Sequence, residues 1–531
     1  MIRAGFFLLL LLGGSAQAQT APGGRPGNQP EHAFDILRSA SVYAAALAFM
    51  SPRTLEAVPV PELTLWGLNG ITAIDPRLTA ERQAEEIHLR QGERVLASRP
   101  APKGATDIVA WARVAAEMQA AAYEASQAVR AAGTGGIIRG FFDELFNHLD
   151  PYSRYTPPEE AEEDRTRRAG QAGAGLSLVR RGGQIVVQSA VSDGPAALAE
   201  IRAGDVILAV DGQSTRGTDA ATVARWIQGP EDTNLTISWR GRDGRVRNAE
   251  ITREMVPPET VHAERLGVML LLRVSDFNNG TGARVANEIA LGVNSEKPAQ
   301  GIVIDLRGNR GGVLRQAVFA ADALLPEGVI ATTVGRDPEA NRVLRSTGGD
   351  IAAYIPTVVI VDGRTASAAE VLAAALADRG RAVVVGSSTL GKGLVQTISR
   401  LPDGGELRVT WSRIVAPRGW PIQTLGVLPQ ICTSLGQDAL GRQLGELTTG
   451  RAPMAGALAR HHAARPPLAA AQALAIRSAC PAAEGREADM AVARLLIENP
   501  VAYAAALLPP PRALAPNGAA PPGQPAGAGR P

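Results

Sequence analysis

Ser367 and Lys392, 25 residues apart, are the two side chains of this 531-residue sequence best suited to joint chemistry. Ser367 follows the β-branched run 357–361 and the turn Asp362-Gly363-Arg364-Thr365-Ala366, and it precedes the apolar helical run 371–376, so the pattern predicts a serine at a helix N-terminus. There, unpaired backbone N–H groups and the positive end of the helix dipole favour a developing negative charge. A serine in that place is ordinarily only a cap, and Glu370, three residues on, would complete a capping box. Lys392 changes the weighing. Only Lys103, Lys297 and Lys392 occur among 54 Lys and Arg residues, and a desolvated lysine can lose its proton and act as a base where arginine cannot.

Ser-Lys chemistry needs an exposed hydroxyl, a neutral amine within reach and backbone donors for an oxyanion. Gly391 and Gly393 allow close backbone approach to Lys392, while Leu390, Leu394 and Val395 offer apolar surface to lower its pKa. Gln396, at i+4, is on the face of Lys392 and can orient the amine. The turn Asp305-Leu306-Arg307-Gly308-Asn309-Arg310-Gly311-Gly312 follows a buried-type strand and leaves N–H groups free to point outward. The six histidines all fall outside 302–396 and no Gly-x-Ser-x-Gly surrounds Ser367, so a histidine base would need a distant partner such as His262.

The elements that must position these residues read as a multidomain α+β chain. Apolar positions recur at helical spacing through 31–165, notably in 108–129, which predicts a mainly helical N-terminal region. Residues 166–256 carry short β-branched runs (175–179, 184–187, 205–210 and 234–239) punctuated by glycine, with helical segments at 195–200 and 219–228. In 257–430 the buried-type strands 268–274, 301–306, 357–361 and 382–385 alternate with helices, which predicts an α/β unit with a largely parallel sheet. Residues 431–507 return to alanine-rich helix.

Both ends read differently. Arg3, the apolar run 6–12 and Ala16-Gln17-Ala18 read as a signal peptide over 1–18, too short to span a membrane comfortably. Residues 19–30 form a flexible linker by composition, and 508–531 a disordered Pro/Ala/Gly-rich tail. A soluble exported, periplasmic protein without stable membrane insertion is expected. Cys432 and Cys480, the two cysteines, would pair in an oxidising compartment, or pack as separate buried thiols. A net charge of +2, with arginines scattered among acids, gives no footprint for nucleic acid.

With those residues in place, the chain resembles the C-terminal processing peptidases, or tail-specific proteases, a family of Ser-Lys endopeptidases. The resemblance covers roughly 145–430. It rests on Leu149-Asp150-Pro151-Tyr152-Ser153-Arg154-Tyr155 with Pro158-Glu159-Glu160, on 305–312, on 365–370 and on 391–396, in the family's order and with its Ser-to-Lys gap. It implies a crotonase-like catalytic core with Ser367 as nucleophile, Lys392 as general base and Gln396 orienting the lysine. The implied oxyanion donors are the N–H of Ala368 and that of Gly311 or Gly312. Residues 168–255 resemble the family's PDZ domain, with Gly173-Ala174-Gly175-Leu176 as its carboxylate-binding loop and 201–207 as a strand entry. Implied partners are protein substrates with apolar C-termini, and beyond them an adaptor or a second copy; no cofactor and no metal is implied. Ala369 replaces a frequent second serine and Arg364 a usually small residue. Asp378 matches a position often acidic in relatives, and equally suits a helix surface. Two other readings stand beside this one. A catalytically silent PDZ scaffold is disfavoured by the intact Ser367, Lys392 and Gln396 set, and a crotonase-like hydratase by the lack of a basic cluster for coenzyme A.

Overall fold

The computed structural model describes residues 33–191 and 194–510, so the expected leader, the linker and most of the tail lie outside the described residues. Helices Ile36–Met50, Val60–Leu68, Ile108–Ala125 and Gln127–Asn147 build the N-terminal core. Asp35, Asp107 and Ser126 each cap a helix by accepting a backbone N–H inside the first turn. The region is not helical throughout. Leu78–Gln83, Glu86–Gln91 and Arg94–Pro100 form an antiparallel three-stranded sheet. Its alternation is sparse, with only Leu78, Ala80, Ile87 and Leu89 buried among charged neighbours.

The second unit is a sheet in the order Val246–Thr252, Asn234–Arg240, Val206–Val210, Gln184–Ala190, Leu176–Arg181. Helix Ala220–Ile227 packs against the last of these, an edge strand.

In the third unit Val261–Leu266 pairs antiparallel with Met269–Val274. From there Gly301–Asp305, Thr357–Val361, Val383–Gly386 and Ile431–Cys432 extend the sheet in parallel. Helices Thr281–Val293, Leu314–Asp322 and Ala368–Asp378 cover one face. Helices Glu487–Glu498 and Pro500–Ala506 cover the other, so the late helical segment shares the core of this unit. Burial on both faces explains the unbroken apolar runs of these strands.

A second, antiparallel sheet completes the unit, with Arg342–Ser346, Gly328–Gly335, Glu406–Val415 and Leu394–Arg400 in that order, and Arg154–Thr156 added to Glu406–Val415. Sequence reading did not anticipate it, because its strands mix polar and apolar residues. Its Leu407 and Val409 pack into the N-terminal core and its Ile414 into the core of the third unit, so this sheet joins the two. No helix among the described residues is long and apolar enough to cross a membrane.

Candidate active site

Strand Thr357–Val361 turns through Asp362 into helix Ala368–Asp378, and Ser367 stands at the elbow with φ 58° and ψ −119°. A non-glycine residue in that conformation stores roughly 1–3 kcal/mol of strain. The turn is over-determined. The Asp362 carboxylate accepts the N–H groups of Gly308, Arg364 and Thr365, and the Thr365 hydroxyl donates to the Leu306 carbonyl. The serine turn and the 305–312 turn are therefore one locked unit.

Gly311 is the point of closest approach between them. Its φ is +97°, and a Cβ built there would lie 2.7 Å from Ser367 Cβ and 2.9 Å from the Ala368 nitrogen. Its N–H donates to the Asn309 side chain at 2.8 Å, and that side chain in turn donates to the Val274 carbonyl. Gly311 is thus a spacer whose donor is already used. Among the described residues no acceptor inside the protein faces the N–H of Gly312, and Ala368, first in its helix, has none within that helix. Of the two glycines the motif left open, Gly312 is the one with a free donor.

Glu370 ties the serine to the lysine. Fully buried, it accepts the Ser367 N–H at 2.7 Å, the Thr389 hydroxyl at 2.5 Å, the Gly391 N–H at 2.7 Å and the Lys392 N–H at 2.9 Å. Burial raises its pKa, against the pull of these four donors. The capping-box spacing was visible in the sequence, but the second half of this residue's role, clamping the lysine loop, was not.

Ser367, Lys392, Gln396, Gly311 and Gly312 line one cavity of about 1020 Å³. Burial, and then the nearby guanidinium groups of Arg154 and Arg408, lower the Lys392 pKa, while Glu370 and Asp150 oppose the shift. The ammonium sits over the Tyr152 ring, 4.9 Å from its centre. Among the described residues no hydrogen bond joins it to Ser367 or Gln396. Tyr152 is set by Asp150, whose carboxylate accepts the N–H groups of Tyr152 and Ser153 and the hydroxyls of Ser153 and Thr410. Its role beside the lysine was not legible in the sequence.

Gln396 lies on strand Leu394–Arg400, past a bulge, with its amide 3.4 Å from both the Leu394 carbonyl and the Thr410 hydroxyl. Leu390 is 49% exposed and gives little desolvation, whereas Leu394 and Val395 line the cavity. No histidine lines the cavity, and His262 is exposed on strand Val261–Leu266. Arg364 reaches away towards Glu484 at 3.6 Å, and Ala369 is buried. Asp378 is not a surface residue: it is 1% exposed and accepts from the Arg418 N–H and the Trp420 indole.

In the second unit, Gly173 ends strand Gln171–Gly173 and Leu176 starts the edge strand. The carbonyls of Ala174 and Gly175 accept from Ala196 and Val191, which fixes the loop beside helix Ala220–Ile227. Cys432 and Cys480 are joined in a disulfide. No group of carboxylate, histidine and cysteine side chains suited to a metal ion occurs among the described residues.

Residues 269–433 match the model of peptidase family S41, and residues 186–241 match a PDZ domain. The chain is 34% identical over 303 residues to a carboxy-terminal-processing protease of Bartonella bacilliformis, spanning 56% of this chain and 69% of that protein. It is 32% identical over 337 residues to the chloroplastic C-terminal processing peptidase of Tetradesmus obliquus, spanning 56% and 70%. The solved photosystem II D1 C-terminal processing protease is 30% identical, with a TM-score of 0.33, over 59% of this chain and 86% of that one.

Proposed function

This chain belongs to the carboxy-terminal processing proteases of peptidase family S41 and is a serine-type peptidase with a PDZ domain, and from that premise we propose that it is an exported endopeptidase that cuts proteins with apolar C-terminal tails by Ser-Lys acyl transfer. The observation that carries the reading is the shared cavity of Ser367 and Lys392, with Glu370 bonded to the backbone of both.

In the proposed reaction the neutral Lys392 amine takes the Ser367 hydroxyl proton as Oγ attacks the substrate carbonyl. The oxyanion forms against the N–H groups of Gly312 and Ala368. Lys392 then gives its proton to the departing amine, and water cleaves the acyl-enzyme by the reverse path. Gln396 orients the amine once Lys392 leaves the Tyr152 ring and turns to the serine. Apolar C-terminal tails are captured at Gly173, Ala174, Gly175 and Leu176, adding as a strand along Leu176–Arg181. The leader 1–18 would send the protein to the periplasm, where Cys432 and Cys480 oxidise.

Incubating the full chain and Ser367→Ala with an unstructured protein ending in apolar residues tests the reading. Fragments are expected from the first and none from the second. Identical fragment patterns from both would leave only a peptide-binding scaffold.

A further inference from the structure

Along the sequence the arginines are scattered, yet folding gathers Arg154, Arg165, Arg167, Arg168, Arg310 and Arg408 around the cavity of Ser367 and Lys392. They come from three separate places: the strand Arg154–Thr156 and the helix Pro158–Ala169 after it, the 305–312 turn, and the strand Glu406–Val415. The cluster exists only in the fold.

These six arginines meet four carboxylates, of which Glu162 pairs with Arg165 alone at 2.6 Å. Asp164 is shared by Arg167 at 3.3 Å, Arg154 at 3.7 Å and Arg408. Glu406 is shared by Arg168 at 2.8 Å, Arg165 at 3.1 Å and Arg408 at 3.9 Å. Asp276 lines the cavity, with burial raising its pKa. Arg310 has no carboxylate partner among the described residues, and its neighbour Gly311 packs on Ser367 Cβ. Two donors in the wall are orphaned as well: Arg408 Nε and one terminal nitrogen of Arg168 are buried with no acceptor.

We propose that this arginine wall is a carboxylate subsite beside the scissile bond, filled by a carboxylate of the substrate. The inference rests on the reading of the cavity as the peptidase site. The guanidinium fork suits a carboxylate, which it binds through two parallel charge-assisted hydrogen bonds. Shared carboxylates leave the wall with a surplus of positive charge, which draws an anion towards the cavity. The carboxylate has two possible sources, an Asp or Glu side chain near the cut or the free end of the substrate chain. Both present the same chemistry to Arg310.

The test uses the full-length enzyme and peptides sharing one apolar tail. One pair carries Asp or Asn within three residues of the cut, and a second pair ends in a free carboxylate or an amide. The kcat and KM values are measured for wild type, Arg310→Gln and Arg154→Gln, and peptide affinity is measured by fluorescence anisotropy on Ser367→Ala with and without Arg310→Gln. The expected result is a kcat/KM about tenfold or more higher for one acidic form, carried by KM. That ratio falls below about threefold in Arg310→Gln and shrinks in high salt, as screening requires.

Loss of the Asp preference in Arg310→Gln assigns the subsite to a side chain, and loss of the free-terminus preference assigns it to the chain end. A terminus preference that survives Arg310→Gln belongs to the PDZ loop and counts against the proposal. Equal kcat/KM within both pairs, with Ser367-dependent cleavage intact, overturns the subsite and leaves the peptidase reading standing. Should no peptide be cut, equal affinities on the Ser367→Ala protein overturn it by themselves.

Discussion

Lys392 has to be neutral to take a proton, and its surroundings pull in two directions. Burial and the charges of Arg154 and Arg408 favour the neutral amine, while the Tyr152 ring, Glu370 and Asp150 favour the ammonium. A lowered pKa places the rise of activity with pH below that of an ordinary lysine: activity is lost as pH falls through the Lys392 pKa and regained above it. Removing the ring removes support for the charged form. Tyr152→Leu should therefore move the acid limb of kcat/KM about half a pH unit lower, whereas Tyr152→Phe, which keeps the ring, should leave it in place. A limb that moves equally in both variants would show that the hydroxyl or local packing sets it. Glu370 carries a second prediction at this scale. A carboxylate meets all four of its donors, but the single oxygen of glutamine does not. Glu370→Gln should lower stability by about 2–4 kcal/mol, seen in urea titration, and kcat by about 100-fold, because the lysine loop loses its tie to the serine turn.

Among elements, the decisive contact is between two turns. Gly311 gives the serine elbow room that no side chain leaves, with positive φ and no space for a Cβ. Gly311→Ala is expected to push Ser367 and the Ala368 N–H apart, cutting kcat about 100-fold with KM little changed and stability by about 1–3 kcal/mol. A variant with normal kcat would show that the turn yields without cost. The same scale explains what the sequence made legible. The strands 301–306 and 357–361 stood out because burial on both faces leaves an unbroken apolar run, and Ser367 stood out because a strand, a turn and a helix start announce an elbow. The antiparallel sheet was hidden, since its faces are unequally buried and the pairing that joins its two local strand pairs, Gly328–Gly335 with Glu406–Val415, is distant in sequence. The Tyr152 ring and the Glu370 clamp were hidden for the same reason: Lys392 meets Tyr152 across 240 residues of chain and Glu370 across 22. Motifs marked the proposed reacting groups, but contacts across such spans are made by the fold.

At the scale of the molecule, the helices after residue 436 form the layer on one face of the parallel sheet. Val492, Leu496 and Ile497 cover the face of the parallel sheet opposite helix Ala368–Asp378. Arg477 donates to the carbonyls of Leu425 and Thr389, the latter also the residue whose hydroxyl reaches Glu370. The Cys432–Cys480 bridge fastens this layer to the last strand of the sheet across 48 residues. Chain entropy assigns such a loop about 4 kcal/mol of stabilisation. Cys480→Ser, or reduction of the wild type, should lower the unfolding free energy obtained from urea titration by that amount and lower activity in parallel, because the layer supports the Lys392 loop. Unchanged activity after a full loss of the stabilisation would separate the C-terminal layer from the site.

The central claim is that Ser367 becomes acylated with Lys392 as its base, and one measurement addresses it directly. The full chain is mixed with a peptide ester, quenched in acid within the first turnover, digested and mapped by mass spectrometry. An acyl adduct is expected on Ser367 that is absent in Ser367→Ala and forms about 100-fold or more slowly in Lys392→Arg, where charge is kept but no neutral base exists. An adduct on another residue, or one forming at the wild-type rate in Lys392→Arg, would contradict it.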